Sequence, residues 1–300
     1  MRPKPDPQRI KALAIDLDGT TLLPNAILGE RTRLCIRKLI SNGMQIIIST
    51  GRAIEASERF LVAMSAHGPM VFFNGAEVVD IPSGKVLHAN MIDMDVVDFG
   101  TDIARSLGVY FQVYLPAGIS PVSGKKDPQQ KWEALLSENY SEEAQMYYDH
   151  TGIKPVVTDL KKIAAMSRND VSGNNASIDG CIKGMYIADP SHHDEIRRRM
   201  RERFGEQVSV IRSYPTFLEV INNGVSKGEG LKIAMRHRGL KPEEVIAFGD
   251  EENDLPMFEV AGFAAAPANA REKIRAAADL IYGPNTEEGL AAYLEKTFQI

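Results

Sequence analysis

Asp16-Leu17-Asp18-Gly19-Thr20 places two carboxylates two residues apart, at the end of the apolar run Ala12 to Leu17. Both cannot point along the pleat of a buried strand into an apolar core, so both face the crevice beyond the strand end. There one carboxylate can attack an electrophile while its neighbour carries a proton. The ordinary alternative for such a pair is capping the next turn. At common residue frequencies the four fixed positions recur by chance in ~0.3% of chains of this length, so the pattern carries weight by itself.

Three further signals stand at equivalent places. Phe248-Gly249-Asp250-Glu251-Glu252-Asn253-Asp254 is again an apolar strand running into an acidic loop. A second carboxylate cluster of this kind suits a hard divalent cation such as Mg²⁺, which takes one or two protein carboxylates and fills its octahedron with waters and phosphate oxygens. Ser49-Thr50-Gly51-Arg52 follows the strand ending at Ile48 and opens a helix, where a hydroxyl and backbone N–H groups can hold an anionic oxygen. Lys227, in Val225-Ser226-Lys227-Gly228, also opens a helix, and its ammonium can neutralise a phosphoryl oxygen or a nucleophilic carboxylate. A hydroxyl before Gly is commonly a turn residue and a Lys at a helix start is commonly solvated. Four such sites in order, each at a strand end or helix start, argue for one constellation.

The elements that would position these residues alternate between strand and helix. Strands are expected at Ala12 to Leu17, Met44 to Ile48 and Met70 to Phe73, with helices at Arg31 to Ile40 and Ala53 to Ala66; the first helix presents Leu34, Cys35, Leu39 and Ile40 at helical spacing. This alternation predicts a doubly wound, mainly parallel α/β sheet with functional loops at the carboxyl ends of its strands. Glu77 to Asp80 and Lys85 to His88 flank Ile81-Pro82-Ser83-Gly84 and read as a hairpin that interrupts the pattern. From about 91 to 219 the chain mixes helices (Asp95 to Leu107, Gln129 to Tyr148, His192 to Phe204) with strands (Tyr110 to Leu115, Lys183 to Ala188, Gln207 to Ile211, Thr216 to Ile221). That stretch reads as an inserted α+β module with elaborated segments at 116–128 and 167–179. The alternation returns with a helix from Lys227 to Arg238, strands at Val245 to Phe248 and Gly262 to Ala265 with the helix Leu255 to Val260 between them, and a final strand and helix. The expected domains are therefore a discontinuous core, 1–90 and 220–300, around an insertion, 91–219.

Composition narrows the class. The 300 residues are 44% hydrophobic and 25% charged, values of an ordinary globular protein rather than a disordered or fibrous one. Lys+Arg 35 against Asp+Glu 40 gives a net charge of -5, without the basic excess a nucleic-acid partner would require. Two distant cysteines, Cys35 and Cys181, make neither a disulfide framework nor a zinc site and suit a reducing cytoplasm. No apolar run reaches the ~18 residues of a membrane span, and the proline-rich Met1 to Ile10 reads as a frayed tail rather than a leader or anchor. The basic run Arg197-Arg198-Arg199, interspersed with acids, reads as a solvated helix face, and Trp132, Tyr147 and Tyr148 as packing residues.

With these motifs in place, the sequence resembles a haloacid dehalogenase superfamily phosphatase of the Cof-like type, whose α+β cap is inserted after the third core strand. The resemblance spans about Leu13 to Glu77 and Val220 to Leu294. It implies Asp16 as the nucleophile that forms an aspartyl-phosphate and Asp18 as general acid and base. It implies phosphate contacts from Thr50, Gly51, Lys227 and Asn253, and a Mg²⁺ site made by Asp16, Asp250 and the Asp18 backbone carbonyl. Asp254 would orient Lys227 or a metal-bound water, and Arg52 would reach the phosphate or the cap or form a helix-start salt bridge. Thr21 stands where the family usually has Leu, which is expected to change only packing. The implied activity is Mg²⁺-dependent hydrolysis of a small phosphorylated metabolite, a sugar phosphate, nucleotide or cofactor phosphate, by a cytoplasmic monomer or homodimer with the cap setting specificity. The competing readings are a phosphomutase-type phosphotransferase and a non-catalytic phospho-acceptor module.

Overall fold

The computed structural model describes residues 5–121, 127, 129–168 and 179–300. Of the expected elaborations, most of 167–179 and part of 116–128 lie outside the described residues. Pro7–Arg9 forms a short 3-10 turn capped by the Asp6 carboxylate, so this part of the expected tail is structured.

The first half of the core runs β1 (Ala12–Ile15), α1 (Glu30–Ser41), β2 (Gln45–Ile48), α2 (Ile54–Met64), β3 (Gly68–Phe72), β4 (Glu77–Ile81) and β5 (Lys85–Ala89). In α1 the inward face is Thr32, Cys35, Ile36 and Leu39; Leu34, expected inside, is exposed because Ile36 continues the buried stripe. The strand β3 runs beside β2, joined by the bridge Ser49↔Val71 just past the end of β2 rather than by a regular ladder, and pairs antiparallel with β4, starting a three-stranded sheet β3-β4-β5. It is therefore the place where the parallel pattern turns into the expected hairpin.

The second unit contains α3 (Met94–Leu107), β6 (Tyr110–Leu115), β7 (Ala134–Ser137), α4 (Glu142–Thr151), β8 (Val156–Val157), α5 (Leu160–Arg168), β9 (Lys183–Ile187), α6 (His193–Phe204), β10 (Val208–Tyr214) and β11 (Phe217–Asn222). Its six strands are ordered β10-β11-β9-β6-β7-β8. The helix expected over Gln129 to Tyr148 is instead β7 followed by α4. Ala134–Ser137 is buried at every residue and pairs with β6, and Ser141 caps a helix that starts only at Glu142. A short apolar run cannot be divided between strand and helix by periodicity alone. Helix α5 was not expected; Leu160, Ile163 and Ala164 bury it in the same cluster as Val113, Leu136, Ile196 and Leu218.

The core resumes with α7 (Lys227–Arg238), β12 (Val245–Phe248), α8 (Leu255–Val260), β13 (Phe263–Pro267), α9 (Glu272–Ala277), β14 (Leu280–Tyr282) and α10 (Gly289–Phe298). The parallel sheet is ordered β14-β13-β12-β1-β2, so the chain winds outward in both directions from the β1–β12 pair. Right-handed crossovers on such a sheet place helices on opposite faces and leave a crevice at the carboxyl ends where the order reverses. All four residues of β1 and of β12 are buried, as strands covered on both faces must be. The fold is thus α/β with an inserted α+β cap. The chain divides into one unit of 1–52, 57–88 and 226–300 and a second of 53–56 and 89–225. The second unit runs past the expected 219 because β11 pairs with β9 and β10.

Within the second unit, Glu133 is buried; its Oε1 accepts the Glu55 N–H at 3.1 Å and its Oε2 has no hydrogen-bond partner among the described residues. Burial pushes this carboxyl from the ordinary 4.5 up to about 7. The folded protein therefore holds this proton more tightly than the unfolded chain. The resulting stabilisation is complete below pH ~4.5 and is lost as pH rises through ~7, by about 3 kcal/mol in all. Denaturant melts of wild type and Glu133→Gln at pH 5 and pH 8 test this: the variant should gain on wild type as pH rises, whereas a constant difference would show an ordinary glutamate.

Candidate active site

Strand β1 ends at Ile15, and the next residue, Asp16, is in extended conformation with its N–H on the Phe248 carbonyl at 3.0 Å. The Asp16 side chain is thereby set at the β1–β12 boundary, beside the loop that carries Asp250. The following turn doubles back on itself, with the Leu22 N–H returning to the Leu17 carbonyl at 2.8 Å. Gly19 takes φ +77° there, and a Cβ on it would lie 2.1 Å from Asp250 Oδ2, so both conformation and space demand glycine.

Lys227 is the first residue of α7, whose start is capped by the Ser226 hydroxyl accepting the Glu229 N–H. Its Nζ donates to Asp16 Oδ1 and to Asp254 Oδ1, each at 2.6 Å, and all three side chains are buried. The second oxygen of Asp254 accepts the N–H groups of Asp250 and Glu251 at 2.9 and 3.1 Å, which closes the acidic loop onto itself. Asp250 Oδ1 accepts the Thr20 hydroxyl at 2.7 Å. Carboxylate oxygens of Asp16, Asp250 and Asp254 all lie within 4.8 Å of one another.

Electrostatics follow from this geometry. Burial works against the Lys227 charge, but Asp16 and Asp254 hold its ammonium above the ordinary lysine range. Burial pushes the Asp16 carboxyl well up, with Lys227 opposing and Asp254 and Asp250 adding to the rise. Burial likewise raises Asp250 to about 7, against the Thr20 hydrogen bond and with help from Asp254 and Glu251. Three carboxylates around one ammonium carry an excess of negative charge, and a divalent cation would discharge it. The donors fit such an ion: Asp254 is committed to Lys227 and the loop N–H groups, leaving Asp16 and Asp250 as hard oxygen ligands.

Asp18 lies apart from this cluster. Its carboxylate receives both Nε and an Nη of Arg52 at 2.6 Å, a bidentate pair, and its side chain is 54% exposed. Of the roles open to Arg52, the structure shows the salt bridge, made to Asp18. Thr50 is fully buried, with its Oγ1 accepting the Arg52 N–H at 3.2 Å, and Gly51 lies against the Asn74 amide. Asn253 donates to Asn74 Oδ1 at 2.9 Å, joining the acidic loop to the turn after β3.

Sequence reasoning missed several supports. Thr21 does more than pack: its hydroxyl donates to the Asp16 backbone carbonyl at 2.6 Å. Asn269 donates to the Gly19 carbonyl and Asn285 to the Leu22 carbonyl, while the Asn285 N–H reaches Asn269 Oδ1. Asn269 and Asn285 are isolated amides in sequence, far from the loop they steady, and only the register of β12–β14 brings them there.

Among known proteins, residues 13–294 match the family model described as haloacid dehalogenase-like hydrolase. A Bacillus subtilis 5-amino-6-(5-phospho-D-ribitylamino)uracil phosphatase is 28% identical over 299 residues, 96% of this chain and 97% of the relative. An HMP-PP phosphatase of an Enterobacter species is 27% identical over 264 residues, 87% of this chain and 85% of the relative. A solved structure from Thermotoga maritima superposes with a TM-score of 0.79 at 29% identity, covering 96% of this chain and 97% of the other. The match spans the β1 and β12 loops and the cap alike, and with it the chain belongs to the haloacid dehalogenase-like hydrolase family as an enzyme of its phosphatase branch rather than a passive phospho-acceptor.

Proposed function

We propose that this enzyme hydrolyses a small phosphorylated metabolite through an aspartyl-phosphate on Asp16, with Mg²⁺ as cofactor. The observation that carries the reading is the buried Lys227 ammonium, 2.6 Å from both Asp16 and Asp254, with Asp250 completing the acidic cluster. Bound between Asp16, Asp250 and the Asp18 carbonyl, Mg²⁺ would supply positive charge to the phosphoryl oxygens.

The residues of the chain divide the remaining work. Lys227 fixes one oxygen of Asp16 and leaves the carboxylate aimed from the strand end. The Thr50 hydroxyl, Gly51 and Asn253 line the phosphoryl position. In the first half-reaction an Asp16 oxygen bonds to phosphorus, the ester P–O bond breaks, and a proton from Asp18 goes to the leaving oxygen. In the second, water bonds to phosphorus while Asp18 takes its proton, and the P–O bond to Asp16 breaks to release phosphate and restore the carboxylate. Arg52 orients Asp18 between these steps. Positioning and charge neutralisation of this kind are the main catalytic terms for phosphate monoesters, whose uncatalysed hydrolysis is among the slowest reactions known.

The substrate is a sugar phosphate, nucleotide or cofactor phosphate, and the cap selects among them. Two relatives act, by name, on a phosphorylated ribitylamino-uracil and on HMP-PP, so these head the panel to be screened. A monomer or homodimer in the cytoplasm, meeting its substrate there, completes the reading.

Phosphate release over this panel with Mg²⁺ is the direct test. Asp16→Asn nearly preserves volume and should lower turnover at least about a thousandfold with an unchanged far-UV spectrum; retention of more than a few per cent of wild-type release would sink the covalent route. Exhaustive EDTA treatment should silence the enzyme, Mg²⁺ should restore it, and Ca²⁺ should do so poorly because its coordination is larger and looser. Full activity after chelation would remove the cation from the scheme.

A further inference from the structure

Tyr282 is the last residue of β14 and plays no part in the scheme above. Pro267 pairs with Tyr282, Ala265 pairs with both Phe248 and Leu280, and Asp250 stands two residues beyond Phe248. Tyr282 and Asp250 therefore reach the same level at the carboxyl edge of the parallel sheet. The ring is held on two sides, stacked on Tyr293 at 5.8 Å between centroids and edge-on to Phe248 at 5.9 Å. Only 6% of the residue is exposed, and its hydroxyl has no hydrogen-bond partner among the described residues. Leaving a buried hydroxyl unpaired is costly, so its place in this fold calls for a partner that the described residues do not supply.

The surroundings identify the partner's chemistry. Burial pushes the phenol well up, and the Asp250, Asp16 and Asp254 carboxylates push it further, in that order. The group thus stays protonated, at the carboxyl edge of the sheet on the level of Asp250. Asp254 is spent on Lys227 and two N–H groups, and one Asp250 oxygen on Thr20. A Mg²⁺ ion held by two carboxylates keeps several waters, whose protons point outward and need acceptors.

We propose that the Tyr282 hydroxyl is a positioning group for the cation held by Asp16 and Asp250, accepting a hydrogen bond from a water of its shell on the β14 side. The inference rests on the proposed cation site. It assigns the otherwise orphaned hydroxyl a role that outer-shell partners commonly have, orienting and tightening a metal site without touching the metal.

Tyr282→Phe removes the hydroxyl and keeps the ring contacts. The test uses the full chain stripped with EDTA, titrated with MgCl₂ by calorimetry, with melting temperatures recorded with and without the ion. Tyr282→Phe should weaken Mg²⁺ binding about three- to tenfold, the worth of one hydrogen bond, while its metal-free melting temperature equals or exceeds that of wild type. A control, Tyr293→Phe, should leave Mg²⁺ affinity unchanged. Affinity of Tyr282→Phe within twofold of wild type would overturn the inference, as would a metal-free melting temperature several degrees lower, which would mean that the hydroxyl serves a bond within the protein. Wild type that takes up no Mg²⁺ would defeat the cation reading itself, whereas normal uptake by both proteins would defeat only the role of Tyr282.

Discussion

One buried ammonium among three buried carboxylates is the constraint on which the core depends. Removing these charges from water costs several kcal/mol per ion, and attraction repays this only with close geometry and full hydrogen bonding. Lys227 achieves it with two 2.6 Å contacts, and Asp254 with two backbone N–H groups in addition. The same contacts tie together three distant stretches of chain: the end of β1, the loop after β12 and the first turn of α7. Lys227 stands directly after the chain returns from the second unit, so the ion pair also pins that return. Gly75 fits against it, since a Cβ there would lie 1.9 Å from the Ser226 carbonyl at the start of α7. Charge balance is left incomplete within the protein, and this deficit is what suits the site to the proposed cation.

The nucleophile role proposed for Asp16 needs a trajectory fixed before substrate arrives, and the loop after β1 is rigid enough for that. Its carbonyls at Asp16, Gly19 and Leu22 are held by Thr21, Asn269 and Asn285 respectively, and its Thr20 hydroxyl crosses to Asp250. These bonds come from the turn itself and from the loops after β13 and β14, so the outer strands of the sheet stiffen a loop at its centre. Preorganisation of this kind places the cost of ordering in folding rather than in each catalytic cycle.

What could be read from the sequence divides along physical lines. The loops at Asp16 and Asp250, the start of α7 at Lys227 and the alternating core were legible because strand ends and helix starts leave strong local signals. The same logic failed at Gln129 to Tyr148, where Ala134–Ser137 is a strand only because β6 lies beside it to pair with. It was silent on Asn269, Asn285 and Tyr282, whose importance comes from cross-strand register, and it undervalued Thr21, whose hydroxyl finds a carbonyl five residues back. Chemistry concentrated in contiguous motifs is visible in one dimension; the shell that supports it is assembled from single residues and is not.

The contrast between the two motif aspartates carries the functional reading furthest. The Asp16 side chain is 7% exposed and locked to Lys227, whereas that of Asp18 is 54% exposed and held by the guanidinium of Arg52. A covalent nucleophile gains from being dry and immobile, because a water competing for its position or a rotamer change would spoil attack. A group that gives a proton to a leaving oxygen and later takes one from water must face the solvent side and change partners within each cycle. An ion pair with one exposed partner is partly screened by water, while its bidentate geometry sets where the carboxylate rests. Two residues apart in the chain, with the left-handed Gly19 turning the backbone immediately after them, the two carboxylates sit in environments that differ as the roles proposed for them would require.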